Sequence, residues 1–293
     1  MLKLFTRPRR ELLTSGLTVG VIALGVMILA GAIIGSMVDV ESDENGVGLV
    51  EVFDAIYDSR SVVRQLKHFA ESETVPVIVL RLNSPGGAVG ASQEIYRQVQ
   101  ITREAGKKVI ASMGNVAASG AYYIAAAADT IMSNPGTVTG SIGVIAEFLQ
   151  ADTLFRKIGI SFNIIKRGEF KATGAPDRAP SARQLEMIQR LIDDAYEQFV
   201  DDIHDSRGVS YESLDTLAQG QVFTGRQAVT YGLVDTLGNL DDAMGLARQM
   251  GGLEKDAPII RAPMPKKGFL EQLSARASGL WGGSSMRISY LMR

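Results

Sequence analysis

The stretch Gly114–Asp129, GNVAASGAYYIAAAAD, decides how this chain is read. Ser119 stands there among small residues, Ala117, Ala118, Gly120 and Ala121, and Tyr122 to Ala128 follow with strong helix propensity. Just upstream, Lys107–Met113 (KKVIASM) has the apolar pattern of a short buried strand. Strand, tight turn and helix therefore succeed one another, with a serine at the turn. At such a helix start the N–H groups of Ser119 and Gly120 are expected to lack intrahelical acceptors, and the helix dipole favours negative charge. Those are the needs of a developing oxyanion. The same residues also suit a plain helix start with Ser119 as its N-cap.

Working outward toward the N-terminus, Val75–Asn83 (VPVIVLRLN) is a near-continuous apolar run, the signature of a strand buried on both faces. It stops at Ser84-Pro85-Gly86-Gly87, where proline presets one turn residue and glycine supplies a positive φ. An ordinary type II turn satisfies this pattern. So does a loop in which Gly86 and Gly87 let a substrate carbonyl approach bare backbone N–H groups. Val47–Phe53 reads as a first strand, Arg60–Glu71 as a helix with Val63, Leu66 and Phe69 on one side, and Gln93–Glu104 as a helix with Ile95, Val99 and Thr102 inward, ended by Gly106. Apolar strands alternating with helices predict an α/β domain.

In the other direction, Asp129–Glu147 is rich in Gly, Ser and Thr, with an extended run at each end and Ser141 near its middle. Asp152–Ile158 reads as a short helix and Phe162–Ile165 as a strand. Lys171 follows in RGEFKATGAP. A lysine desolvated among small and aromatic neighbours drops from about 10.4 toward neutrality and becomes a usable base, whereas a loop lysine in water does not. Ser181–Ser206 is the clearest helix: Ser181 and Gln184 form a capping box, and Leu185, Ile188, Ile192, Ala195, Phe199 and Ile203 mark a buried face. Gly208 ends it, and further helices start near Gly225 and Leu240.

The flanks and composition set the context. Residues 1–11 are basic, and Leu12–Val38 then runs without a charge, longer than the roughly 20 residues a helix needs to cross a bilayer. Acidic residues follow in a linker at 39–46, a polarity that puts the N-terminus in the cytoplasm and the rest outside it. A cleaved signal with Ala30-Gly31-Ala32 as its site is the competing reading. Residues 47–261 then form the main domain and 262–293 a tail, either amphipathic and membrane-lying or disordered. A formal net charge of −2 gives no footing for nucleic acid. With no cysteine and two histidines, His68 and His204, both on polar helix faces, the chain lacks the means for thiolate chemistry, and a Ser–His–Asp site is not expected. A serine nucleophile here needs another base.

Five motifs in order resemble the signal peptide peptidase A (SppA) family of membrane serine peptidases: Asn83-Ser84-Pro85-Gly86-Gly87, Ala118-Ser119-Gly120-Ala121-Tyr122-Tyr123, Thr139-Gly140-Ser141-Ile142-Gly143-Val144, Gly168-Glu169-Phe170-Lys171, and Thr224-Gly225-Arg226-Gln227-Ala228 with Gly232-Leu233-Val234-Asp235. The resemblance spans roughly Val47–Met250. One departure is Ala121, where the family usually has a second glycine after its serine. The resemblance implies a Clp-protease/crotonase-like fold and hydrolysis of peptides by a Ser/Lys dyad. It implies Ser119 as nucleophile, Lys171 as general base, Gly86 and Gly120 as oxyanion-hole donors, and Ser141 as a hydroxyl orienting the lysine. No cofactor or metal is implied, and the family's oligomeric rings or domes imply sites near or across subunit boundaries.

The functional expectation is a plasma-membrane-anchored serine endopeptidase that clears apolar remnant signal peptides on the extracytoplasmic side. Alternatives are a related Ser/Lys membrane protease with one specific partner protein, a crotonase-like acyl-thioester enzyme using the same two donors, and an inactive membrane scaffold.

Overall fold

The computed structural model describes residues 44–263 and 287–291. The expected membrane span at 12–38 and most of the expected tail lie outside these residues. Among the described residues no helix is long and apolar enough to cross a membrane.

A sheet of eight strands forms the centre of the described part. Strands β1 (Val47–Phe53), β2 (Val77–Ser84), β4 (Lys108–Ala118) and β5 (Thr130–Ser133) lie side by side and parallel, with β10 (Ile259–Arg261) beyond β1 and β9 (Thr236–Leu237) beyond β5. The far half of β4 leaves β5 and pairs instead with β6 (Val138–Gly140), which carries β8 (Val222–Thr224) antiparallel on its other edge. Parallel neighbours need crossovers. Helices α1 (Arg60–Glu71) and α2 (Val89–Glu104) supply them between β1, β2 and β4.

The two-residue period of the strands sorts their side chains onto two cores. Val50, Val52, Ile78, Leu80, Leu82, Val109, Ala111 and Met113 face a large cluster that includes Leu66 and Phe69 of α1, Ile95 and Val99 of α2 and all the apolar residues of α3 (Gly120–Ala126). Val47, Leu49, Val77, Val79 and Ile110 face the opposite way, onto Ala243, Met244 and Ala247 of α8 (Leu240–Met250). Burial on both faces is why Val77–Leu82 has almost no polar alternation. Ile78, Leu80 and Leu82 are fully buried, each contributing about 1.5–3 kcal/mol by leaving water.

Helix α5 (Ala182–Arg207) is the long strut of the surface, and it has the anticipated capping box: the Ser181 hydroxyl accepts from the Gln184 N–H, while the Gln184 carboxamide oxygen accepts from the Ser181 N–H. Ile188, Ala195, Phe199 and Ile203 are buried as expected, but Leu185 is 49 % exposed while its neighbour Gln184 is buried. The remaining helices are α4 (Asp152–Lys157), α6 (Tyr211–Leu217) and α7 (Gly225–Thr230). Phe162–Ile165, expected as a strand, has no ladder partner among the described residues and is irregular and exposed. A second, three-stranded sheet has the order β3 (Gly86–Ala88), β11 (Arg287–Leu291), β7 (Ile145–Glu147), both pairings antiparallel. Part of the stretch expected as an amphipathic or disordered tail is thus a strand of this sheet.

Candidate active site

Strand β4 runs straight into Ser119, and α3 leaves from it. The serine has φ 55° and ψ −118°, a left-handed conformation that costs a non-glycine residue about 1–3 kcal/mol. This sharp turn explains why only small residues flank Ser119: Ala117, Ala118, Gly120 and Ala121 are all buried where β4, β6 and α3 meet. The structure adds three details to this helix start. Ser119 takes the N-cap position, its carbonyl accepting from the Tyr123 N–H at 2.8 Å, but its hydroxyl makes no capping bond. It is 1 % exposed, so the nucleophile candidate lies inside rather than on the surface. Its own N–H is not free, donating to the Gly140 carbonyl at 2.7 Å. Gly120, the first helical residue, keeps an N–H with no intrahelical acceptor.

Three polar side chains build this corner. Thr139 Oγ1 donates to the Ala117 carbonyl at 2.7 Å and Thr137 Oγ1 to the Gly114 carbonyl at 2.6 Å, stitching β6 onto the end of β4. Asn83 Oδ1 accepts from the N–H groups of Asn115 (3.0 Å) and Val116 (3.2 Å), where the β2–β4 register shifts. Sequence reading assigned Asn83 only to a motif; its part is to satisfy the N–H groups that the bulge exposes. Gly114 fits beside it because a Cβ would lie 2.8 Å from Asn83 Oδ1.

Past the bulge, β2 delivers Gly86 toward the serine. Ser84 pairs with Ala117, so Gly86 and Ser119 each lie two residues beyond a matched pair. Gly86 has φ 101°, and its N–H donates to Ser84 Oγ at 3.1 Å. The stretch is more than the type II turn expected: Gly86–Ala88 is a short strand, held by N–H groups of Ile56 to the Gly86 carbonyl (2.8 Å) and of Ala88 to the Ile56 carbonyl (2.7 Å). Ser141 follows Gly140 with φ 50° and is 8 % exposed. It lines a cavity of about 800 Å³ together with Gly143, Val144, Tyr196, Ala218 and Gly220. Strand β11 occupies the gap between β3 and β7, pairing Leu291 with Gly86 and Ser289 with both Ala88 and Ile145.

Lys171 is elsewhere. It lies in a 3-10 turn, Glu169–Ala172, that docks on the first turn of α5: Gln184 Nε2 donates to the Glu169 carbonyl at 3.3 Å, and Arg183 pairs with the Glu169 carboxylate at 2.9 Å. Helix α3, which starts at Ser119, meets α5 near its other end, where the Tyr123 ring packs edge-on against Phe199 at 4.9 Å and its hydroxyl donates to the Asp202 carboxylate. Eighteen residues of helix separate Gln184 from Asp202, about 27 Å. Lys171 is exposed and bonds to no hydroxyl or carboxylate among the described residues. The structure therefore brings Ser119, Gly120, Gly86 and Ser141 together, and leaves Lys171 out of that group. The two histidines stay apart from it too. His68 is on α1, and His204 on α5 bonds the Val209 carbonyl and stacks on Tyr211.

The Asp202 contact behind α3 carries a pH signature. Burial pushes the Asp202 carboxyl above its ordinary value; the Tyr123 hydrogen bond pulls it back, and the charges of Asp205 and Asp201 push it up again. A carboxyl raised in the folded state gives stability that is present below its unfolded value and lost as pH rises through the folded one. At neutral pH the charged form is a net cost. Asp202→Asn retains an acceptor for Tyr123, so its melting temperature is expected to rise roughly 1–3 °C at pH 7–8. Thermal melts from pH 4 to 8 should show that gain disappearing on the acid side.

The last motif is scaffold. Thr224 and Gln227 form the capping box of α7, and the Tyr122 hydroxyl donates to the Leu233 carbonyl at 3.0 Å. Asp235 accepts from the Ile131 N–H at 2.6 Å.

Comparison with known proteins places the chain in a family. The model of peptidase family S49 matches residues 101–254, and the Clp protease model matches residues 48–137. A protein of Synechocystis sp. named as a candidate protease, slr0021, is 40 % identical over 217 residues, 73 % of this chain and 78 % of that protein. Protease 4 of Haemophilus influenzae is 34 % identical over 226 residues, covering 77 % of this chain and 35 % of that protein. The chloroplastic serine protease SPPA of Arabidopsis thaliana is 33 % identical over 227 residues, 76 % of this chain and 33 % of that protein. The chain thus spans about a third of the length of the latter two. A Clp-protease-like α/β domain, matched by the S49 model across the serine turn, the Ser141 cavity and α5, makes this chain a member of peptidase family S49, the SppA family.

Proposed function

We propose that this S49 peptidase is a membrane-anchored serine endopeptidase in which Ser119 attacks the scissile carbonyl, Lys171 of a neighbouring copy takes its proton, and Gly86 and Gly120 hold the oxyanion. The observation that carries the reading is the strained turn at Ser119: a buried serine held at φ 55° between a strand and a helix, with Gly120 and Gly86 beside it. The chemistry is amide hydrolysis through an acyl-enzyme. The Ser119 hydroxyl adds to the carbonyl carbon as its proton moves to a neutral lysine, the ammonium protonates the leaving amine, and water then releases the acid. For Gly86 to donate to the oxyanion, its N–H must turn from Ser84 Oγ to the substrate.

Delivery of Lys171 from a second copy is supported by its place in the turn docked on the first turn of α5, by its exposure, and by its surroundings. Leu149, Leu154, Ile158, Ile160, Phe162 and Ile165 are all exposed on the segment leading to it. Such an apolar surface favours burial against another subunit. The Ser141 cavity gives a lysine side chain room beside the serine turn. The substrate is an extended apolar peptide, remnant signal peptides among them. Strand β11 supports this class, since β3 and β7 already accept one extended segment between them by backbone pairing. The charge-free span at 12–38 would hold the enzyme in the plasma membrane, with this domain outside the cytoplasm. The test is a serine-directed phosphonate with the assembled, full-length protein: an adduct on Ser119 and loss of leader-peptide hydrolysis are expected, and absence of the adduct would overturn the reading.

A further inference from the structure

The turn that carries Lys171 is poorly equipped to hold itself in place. Four residues of 3-10 helix do not persist in water without outside contacts. Gly168 enters the turn with φ 99°, and the flank before it, 161–168, is irregular and exposed. Yet a base must meet its nucleophile to within a fraction of an ångström, a misplacement of 1 Å costing about 100-fold in rate. Something must fix the turn.

Three contacts hold it on α5. The Arg183–Glu169 pair joins side chains that are 71 % and 43 % exposed, where an ion pair contributes little. The Arg183 guanidinium lies 5.9 Å from the centre of the Phe170 ring, also near the surface. The third contact is of another kind. Gln184 is 7 % exposed, and the two ends of its carboxamide are both engaged. Its Oε1 accepts from the Ser181 N–H at 2.9 Å, closing the capping box, and its Nε2 donates at 3.3 Å to the Glu169 carbonyl, which also accepts from the exposed Lys166 Nζ at 2.8 Å, a bond within the loop that does not reach α5. One buried amide thus joins the fixed end of a 26-residue helix to the backbone of the turn, two residues before Lys171.

We infer that Gln184 is the positioning residue for Lys171, locking the base-bearing turn to the end of α5 so that the helix presents the lysine to a neighbouring subunit. The inference rests on the reading of Lys171 as the base. It separates two jobs that the capping box by itself merges. Capping needs only an acceptor at this position, and Glu serves there as well as Gln. Holding the turn needs the N–H donor, which Glu lacks.

The test is Gln184→Glu in the full-length, assembled protein. Oligomer size should match the parent and the melting temperature should fall by no more than a few degrees, the cost of one lost hydrogen bond, while kcat for leader-peptide hydrolysis falls about tenfold or more and KM stays within about twofold. Arg183→Ala should change kcat less than about twofold. The rate of phosphonate labelling at Ser119 is then measured in Gln184→Glu, Lys171→Ala and the double variant. The double should label no more slowly than Lys171→Ala alone, since a tether for an absent lysine has nothing to position. An unchanged kcat in Gln184→Glu, or an added loss in the double variant, would overturn the tether while leaving the base assignment standing. Wild-type labelling and turnover in Lys171→Ala would overturn the base assignment and the tether with it.

Discussion

Ser119→Ala and Lys171→Ala chains, each inert alone, should recover peptidase activity when they are co-assembled. Each single variant is expected to lose at least about a thousandfold in kcat, one lacking the proposed nucleophile and the other the proposed base. If Ser119 of one copy is served by Lys171 of the next, a random equal mixture places an intact serine beside an intact lysine at about a quarter of its sites. The recovered rate should therefore approach about a quarter of the wild-type value, and it should vanish if the two variants are assembled separately and mixed without exchange. A same-chain site predicts no recovery under any regime. The physical basis is the length of α5: its first turn holds the Lys171 loop, its far end meets the nucleophile helix through Phe199 and Asp202, and a lysine side chain is only about 6 Å long.

Deleting Arg287–Leu291 should lower KM for an extended peptide by about tenfold or more while leaving kcat within about twofold. The strand lies between β3 and β7 with Leu291 opposite Gly86, the ground that an acyl-side substrate strand would occupy. A segment tethered to its own groove competes at an effective concentration in the millimolar range, so an incoming peptide binds only in the fraction of molecules whose groove is clear. Steady-state kinetics on parent and deleted proteins, with their melting temperatures compared, makes the check. An unchanged KM would mean that substrate reaches Ser119 without displacing β11.

Much of the scaffold was open to a reader of the sequence because its signals are local. Val77–Leu82 announces a doubly buried strand by its lack of polar residues, and Ser181 with Gln184 marks the start of α5 three residues apart. What escaped is set by distant partners. Strand β4 continues through Gly114-Asn115, which reads as a break, because Asn83 from another strand accepts the N–H groups beyond it and β6 pairs with Val116–Ala118. Phe162–Ile165 has the residues of a strand, but no edge lies beside it. Helix α6 is seven residues long, too short for a periodic signal, although Ser210 caps it and Glu212 sits in its first turn. The candidate site divides in the same way. Ser119, Gly86, Gly120 and Ser141 could be named from their motifs, but that the Ser119 N–H is committed to Gly140, and that Lys171 stands apart, follows from how β6 and α5 pack.

The left-handed backbone at Ser119 sets selection for ruggedness against selection for work. Glycine adopts φ 55° without steric cost, so Ser119→Gly would relieve strain of about 1–3 kcal/mol, offset in part by the greater freedom of glycine in the unfolded chain. The same exchange removes the hydroxyl. On the proposal that Ser119 is the nucleophile, a sturdier protein along this coordinate is an idle one, and a library screened for heat resistance alone would drift toward dead variants at this position. Any programme to harden the enzyme should pair each thermal screen with a turnover screen, and should look for its gains away from the serine turn.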